Sequence, residues 1–226
     1  MFKPQIKVII NLFVYVQQCR LFVKSHSGAV MIIPLFPLPI CLLPQGYTQL
    51  RIFEPRYKRL VSESLKSGVG FGLCMLADDK KTILPMGTLT QIIDFETLED
   101  GLLGISVQGQ KTFIINKISI DSDGLKRADV SLIDSWPCDI IERQTEQSHD
   151  HTDERKKDKA LSNTLKQILQ QYPQHLAHYS EENFNDIAWV CQRWLEIIPL
   201  SSKEKYQCIN SHDHQLAKSF LADIIK

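Results

Sequence analysis

No GxxxxGK[ST] stretch occurs anywhere in the chain, which removes the phosphate-cradling loop that an ATPase of the Walker type needs. The six cysteines include no CxxC pair, and their wide spacing matches neither a zinc site nor a disulfide framework. Net charge is absent as well. Lys plus Arg and Asp plus Glu stand at 26 each, so nothing in the totals asks for nucleic acid or an anionic membrane. The largely apolar stretch Val8–Val16 in the first thirty residues is nine residues long, too short to span a bilayer. Strands and helices do not alternate in a βαβ rhythm, which argues against a doubly wound nucleotide fold.

What is present reads as a globular chain. Its 226 residues, 43% hydrophobic and 23% charged, fit one large domain or two small ones. Cys41 in PICLLP, Cys74 in GLCML and Cys191 in WVCQRW sit within apolar patterns and read as small buried hydrophobes. That usage points to a reducing compartment, and the expected location is the cytoplasm. Residues 1–30 do not fit the rest. They open with a basic start but run through Gln17, Gln18, Arg20 and Lys24 before any small-residue cleavage site, unlike a signal peptide.

From Ile32 to about Pro137 the pattern is rich in strands. Pro34, Pro37, Pro39 and Pro44 punctuate an apolar run that reads as a short edge strand leading into a rigid extended segment. Leu50–Phe53 reads as a strand and Pro55–Lys66 as a helix, with Pro55 in its first turn and Gly68 as its C-cap. Further strands are expected at Val69–Leu76, Gly87–Phe95, Leu102–Val107, Thr112–Ile120 and Ala128–Asp134, with a break at Gly109 and a hairpin turn at Asp100-Gly101. Gly70 and Gly72 leave room for close backbone approach.

Residues 139–158 are polar and charged and read as a solvated linker. Helices follow. Leu161, Leu165, Ile168, Leu169 and Tyr172 mark one apolar face. Ser180 reads as the N-cap of a helix carrying Phe184, Ile187, Cys191, Trp194 and Ile198, and Ser201 with Glu204 as a capping box.

Candidates for chemistry are thin. Ser106 in GISVQG lacks the glycine spacing of a nucleophile elbow and reads as a strand residue. His149, His151, His175, His178, His212 and His214 stand in polar contexts, without the three or four convergent donors a metal needs, and read as solvated. The run Arg155–Lys159 lacks aromatics for base stacking. No catalytic residue, metal ligand or cofactor is assigned.

One segment is more specific. PLFPLPICLLPQG followed by LRIFEPRYKRLV resembles the opening of the Lon substrate-binding domain, the N-terminal domain of ATP-dependent Lon proteases, which small bacterial proteins also carry alone. Gly87-Thr88, Asp100-Gly101 and VQGQKTF follow that family's order, and the WLEIIPLS stretch from Trp194 resembles its closing helices. Where the family has arginine in V-x-G-x-x-R-F, this chain has Thr112. The resemblance spans about Ile32–Lys226. It implies an α+β fold, a PUA-like pseudo-barrel of mostly antiparallel strands with a C-terminal helical bundle. It also implies Met31 as the natural start, a β-rich subdomain over 31–138 and a helical subdomain over 159–226. The ATPase and Ser-Lys peptidase domains of the proteases are not in this sequence, so a non-enzymatic module is expected, linked to protein quality control.

The expected partner is an unfolded or extended polypeptide, or one specific protein, with neither nucleic acid nor membrane involved. Exposed apolar surface for it is expected at Pro37, Leu42, Pro44 and Tyr47. Arg51, Phe53, Glu54, Pro55, Arg56 and Tyr57 are expected to fix the strand-to-helix corner. An RNA-binding PUA-like module and a hydrolase with an unrecognised site are the alternatives; neutral charge counts against the first, and no assembled nucleophile and base supports the second.

Overall fold

The computed structural model describes residues 30–141 and 152–224. Residues 1–29, and with them the leader, lie outside the described residues, as do His149 and His151.

The strands are β1 Val30–Leu38, β2 Tyr47–Ile52, β3 Phe71–Leu76, β4 Ile83–Thr97, β5 Leu103–Ile120 and β6 Lys126–Ile133. Helix α1, Pro55–Ser67, joins β2 to β3; Pro55 occupies its first turn and Gly68 closes it at φ 69°. The strand order is β2-β5-β4-β3-β1-β6, and β5 also pairs with β6. Five strands thus form a closed circuit, and β2 hangs outside it on β5. Length explains how β5 serves both roles: its first half takes β2 and its second half takes β6, while β4 covers the other side. The strand does not break at Gly109 as expected; a bulge in the pairing with β4 absorbs the irregularity there. All pairings are antiparallel except β1 with β3.

The Pro-rich run does not form an edge strand, since β1 lies between β3 and β6. Its prolines fit for a local reason. Val30–Pro34 pairs only with β6 and Phe36–Leu38 only with β3, with Leu35 paired to both, so Pro34 and Pro37 each have a neighbour on one side. The missing N–H can therefore face away from any partner. Inside the circuit, Phe113 fills the space left by Gly72 and Gly87, where a Cβ would come within 2.6 Å of its ring.

The helical half contains α2 Thr152–Gln170, α3 Pro173–Leu176, a 3₁₀ turn Glu181–Asn185, α4 Ile187–Ile197, α5 Ser202–Ile209 and α6 Gln215–Ile224. Ser180 caps the 3₁₀ turn rather than the long helix, and the Asp186 side chain accepts from Ala188 N to start α4. Ser201 and Glu204 form the expected capping box on α5. Leu161, Leu165 and Leu169 of α2 pack with Trp189, Trp194, Leu195 and Leu221, whereas Tyr172 is exposed. Helix α2 begins at Thr152, inside the stretch read as solvated linker, and Arg155–Lys159 lies on it. Asp158 is buried there and paired with Lys218 of α6 at 2.7 Å.

Candidate functional site

The segment between β1 and β2 is where the two halves of the molecule meet. Its apolar residues do not form an exposed patch: Leu42 and Tyr47 are 5% and 6% exposed, and Pro44 is also buried. The surface expected at these residues is therefore absent: Leu42 packs into the β-half core with Phe36, Leu50 and Ile52, and the helical half covers Tyr47. Pro37 is half-buried within β1. The Thr88 hydroxyl donates to Leu42 O at 2.6 Å. Leu43 N–H donates to Glu196 Oε1 at 2.7 Å, and Arg193 Nη2 donates to Pro44 O at 2.9 Å. Arg193 and Glu196 sit one turn apart on α4 and pair at 2.8 Å. Burial raises the Glu196 carboxyl above its ordinary range, against the pull of Arg193.

Two glycines make this approach possible. A Cβ on Gly46 would stand 2.2 Å from Glu196 Oε1, and one on Gly109 would stand 2.2 Å from Leu43 O. No side chain fits at either place.

Tyr47 lies under the helical half. Its ring stacks on His178 with centroids 3.7 Å apart, and His175 meets it edge-on at 5.2 Å. The Tyr47 hydroxyl shares a hydrogen bond with the Ser106 hydroxyl at 3.1 Å. Ser106 thus occupies a mid-strand position against a phenol. His175 is partly buried, and burial lowers its pKa. His214 is not solvated as expected; it is buried with Nε2 3.5 Å from Asp139 Oδ2. His178 and His212 are exposed. Among the described residues no group of three His, Cys, Asp or Glu could hold a metal ion.

The corner after β2 is held partly as expected. Glu54 pairs with Arg56 at 2.7 Å, the Pro55 start is in place, and Tyr57 packs edge-on against Phe36 at 4.0 Å. Arg51 instead pairs with Asp100 across the sheet end, and Phe53 is 61% exposed, so its ring does not brace the corner. Sequence reasoning missed Arg59. It donates to Asp121 at 2.7 Å and to Asp123 at 2.6 Å and 2.8 Å, docking α1 on the β5–β6 turn. Nothing in KRLVSES marks that role locally.

Two features could receive a ligand. The first is a small apolar crevice of about 20 Å³, partly open to solvent, between the β1–β2 segment, β3, β4 and α5. Ile40, Cys41, Met75, Leu84, Met86, Tyr206 and Ile209 are among its walls. Met side chains make such a wall adaptable in shape. Burial pushes the Cys41 thiol up to about 12, so it is a wall rather than a nucleophile.

The second feature is the outer edge of β2. Gln45 N–H donates to Gly109 O at 2.8 Å and Gly109 N–H donates to Gly46 O at 2.9 Å. That hydrogen-bonded step sets the antiparallel alternation. The register pairs Tyr47 with Gln108, Gln49 with Ser106 and Arg51 with Gly104 at the non-bonded positions. The N–H and C=O groups of Gln49 and Arg51 therefore point away from β5. Tyr47 N–H also points outward, and the Tyr179 hydroxyl accepts from it at 3.2 Å. Beyond Tyr47 the edge is open, with no strand on that side among the described residues.

A model of the ATP-dependent protease La (LON) substrate-binding domain matches residues 32–215. The chain belongs to that family. The solved Lon N-terminal domain protein of Xanthomonas campestris is 27% identical; it covers 85% of this chain and 98% of its own, with a TM-score of 0.63. The N-terminal domain of a Mycobacterium avium complex Lon protease covers 85% and 97% at 12% identity, with a TM-score of 0.53, a likeness of fold alone. The family's substrate-binding character makes a recognition module the coarse functional reading. Among the described residues no helix is long and apolar enough to cross a membrane.

Proposed function

We propose that this Lon-family domain is a non-enzymatic module that holds extended, unfolded polypeptide, by adding it as a strand to β2. The open edge at Gln49 and Arg51 is the observation that carries this reading. Strand addition uses backbone groups, which every polypeptide has, and so tolerates many sequences. A native protein has already satisfied its backbone internally and offers little to such an edge. Natural edges are commonly blunted with proline, bulges or charged side chains; residues 48–52 carry no proline and no bulge, and their one charge, Arg51, is paired with Asp100. A preference for unfolded chains suits a role in protein quality control, and the buried free cysteines Cys74, Cys191 and Cys208 suit a cytoplasmic location.

Hydrogen exchange of this protein with and without a permanently unfolded polypeptide tests the reading. The amides of Gln49 and Arg51 are expected to slow on addition, while the β5 amides facing β2 stay unchanged. Unchanged exchange at both amides under saturating polypeptide would reject the β2 edge as the place of binding.

A further inference from the structure

Phe53 stands at the end of the open edge. Leu50 and Ile52 of β2 are buried, while Gln49 and Arg51 face solvent. Phe53, one residue past Ile52, continues that alternation on the exposed side. A single exposed phenylalanine is ordinary on a protein surface. Its place carries the argument. The backbone groups that point away from β5 belong to Gln49 and Arg51, and the ring follows them on the same side of the strand.

The side chains around this edge leave one group to read a newcomer. The other end of β2 is closed, since the Tyr179 hydroxyl takes the Tyr47 N–H and His178 stacks on the Tyr47 ring. On the core side Leu50 and Ile52 are already covered. On the outer side Arg51 is paired with Asp100. Of the three outward residues Gln49, Arg51 and Phe53, only Phe53 is apolar.

Resting on the strand-addition reading above, we infer that Phe53 is the specificity-determining residue of the β2 edge and sets the register in which an extended chain is held. The favoured register places an aromatic or β-branched side chain beside its ring. Neighbouring strands lie about 4.8 Å apart, so a residue added opposite Phe53 meets the ring directly. Aromatic–aromatic and aromatic–β-branched neighbours stabilise a strand pair beyond what the backbone ladder supplies. Gln49 and Arg51 bind any sequence through their backbone, and a chain held that way alone slips along the edge. One favoured side-chain contact stops the slipping.

Anisotropy with the full chain and two labelled unfolded peptides of equal length tests this. Both have a serine- and glutamine-rich background; one carries a single central phenylalanine and the other a serine there. The phenylalanine peptide is expected to bind the wild type about fivefold more tightly. Phe53→Ser is expected to bring that ratio near one, with the serine peptide's affinity and the Tm unchanged. Phe53→Leu, apolar but without the ring, gives a second reading of the ratio, expected between the two. A ratio that neither variant alters overturns the inference and leaves strand addition at β2 intact, as does equal binding of both peptides to the wild type. A dimer of this chain that sedimentation shows lost in Phe53→Ser, with both peptides bound as by the wild type, also overturns it and assigns the ring to self-association. No binding of either peptide overturns both readings.

Discussion

Arg193 and Glu196 pair at 2.8 Å on α4, and each is also bound to the β1–β2 segment, Arg193 through Pro44 O and Glu196 through Leu43 N–H. The pair is the bolt between the two halves. Replacing Arg193 by Met leaves a buried carboxylate with no guanidinium and should cost about 3–5 kcal/mol. Urea unfolding of the variant against the wild type measures it.

The same carboxylate gives a pH signature. Its folded pKa is raised, chiefly by burial, above the ordinary 4.5. The native state therefore holds this proton where the unfolded state has lost it. The contribution of Glu196 to stability is greatest below 4.5 and falls as pH rises above it. Glu196→Gln should flatten that fall, seen as a stability difference from wild type that changes with pH above 4.5 but not below.

Gly109→Ala places a Cβ 2.2 Å from Leu43 O, a backbone atom fixed on both sides. A loss of about 1–3 kcal/mol is expected, typical of forced overpacking, with the midpoint of denaturation as the readout.

Leu42 is buried in the β-half core and Tyr47 at the junction with the helical half, so alanine at either should act on stability first. Leu42→Ala is expected to cost about 2–5 kcal/mol by thermal or urea unfolding. Any loss of polypeptide binding in that variant should track the fraction unfolded.

Lys218→Met strands Asp158, 2% exposed, without its 2.7 Å partner. A buried charge left alone costs about 3–5 kcal/mol, and calorimetry should show it.

Much of the architecture was legible in the residues. Helix α1, its Pro55 start and Gly68 stop, the Ser201–Glu204 box and most strand positions follow from local chemistry, and the PLFPLPICLLPQG segment carries the family likeness. The candidate site was less so. PICLLPQGY reads locally as an apolar, exposed turn, and its burial depends on Arg193 and Glu196, about 150 residues away. Asp158 looks like one more charge in a polar run until Lys218 is brought beside it. The open edge of β2 was likewise invisible, because it depends on which half of β5 takes which neighbour.

Gln49→Pro bears on the central claim most directly, because the Gln49 N–H points away from β5 and its loss spares the ladder that holds β2. The measurement is anisotropy of a labelled, permanently unfolded polypeptide titrated with the full chain and with this variant, using the native form of the same polypeptide as control. The account expects the wild type to bind the unfolded form at about micromolar Kd, to ignore the native form, and to lose at least about tenfold in affinity with Gln49→Pro at an unchanged Tm. A folded Gln49→Pro variant that binds as well as the wild type would contradict it.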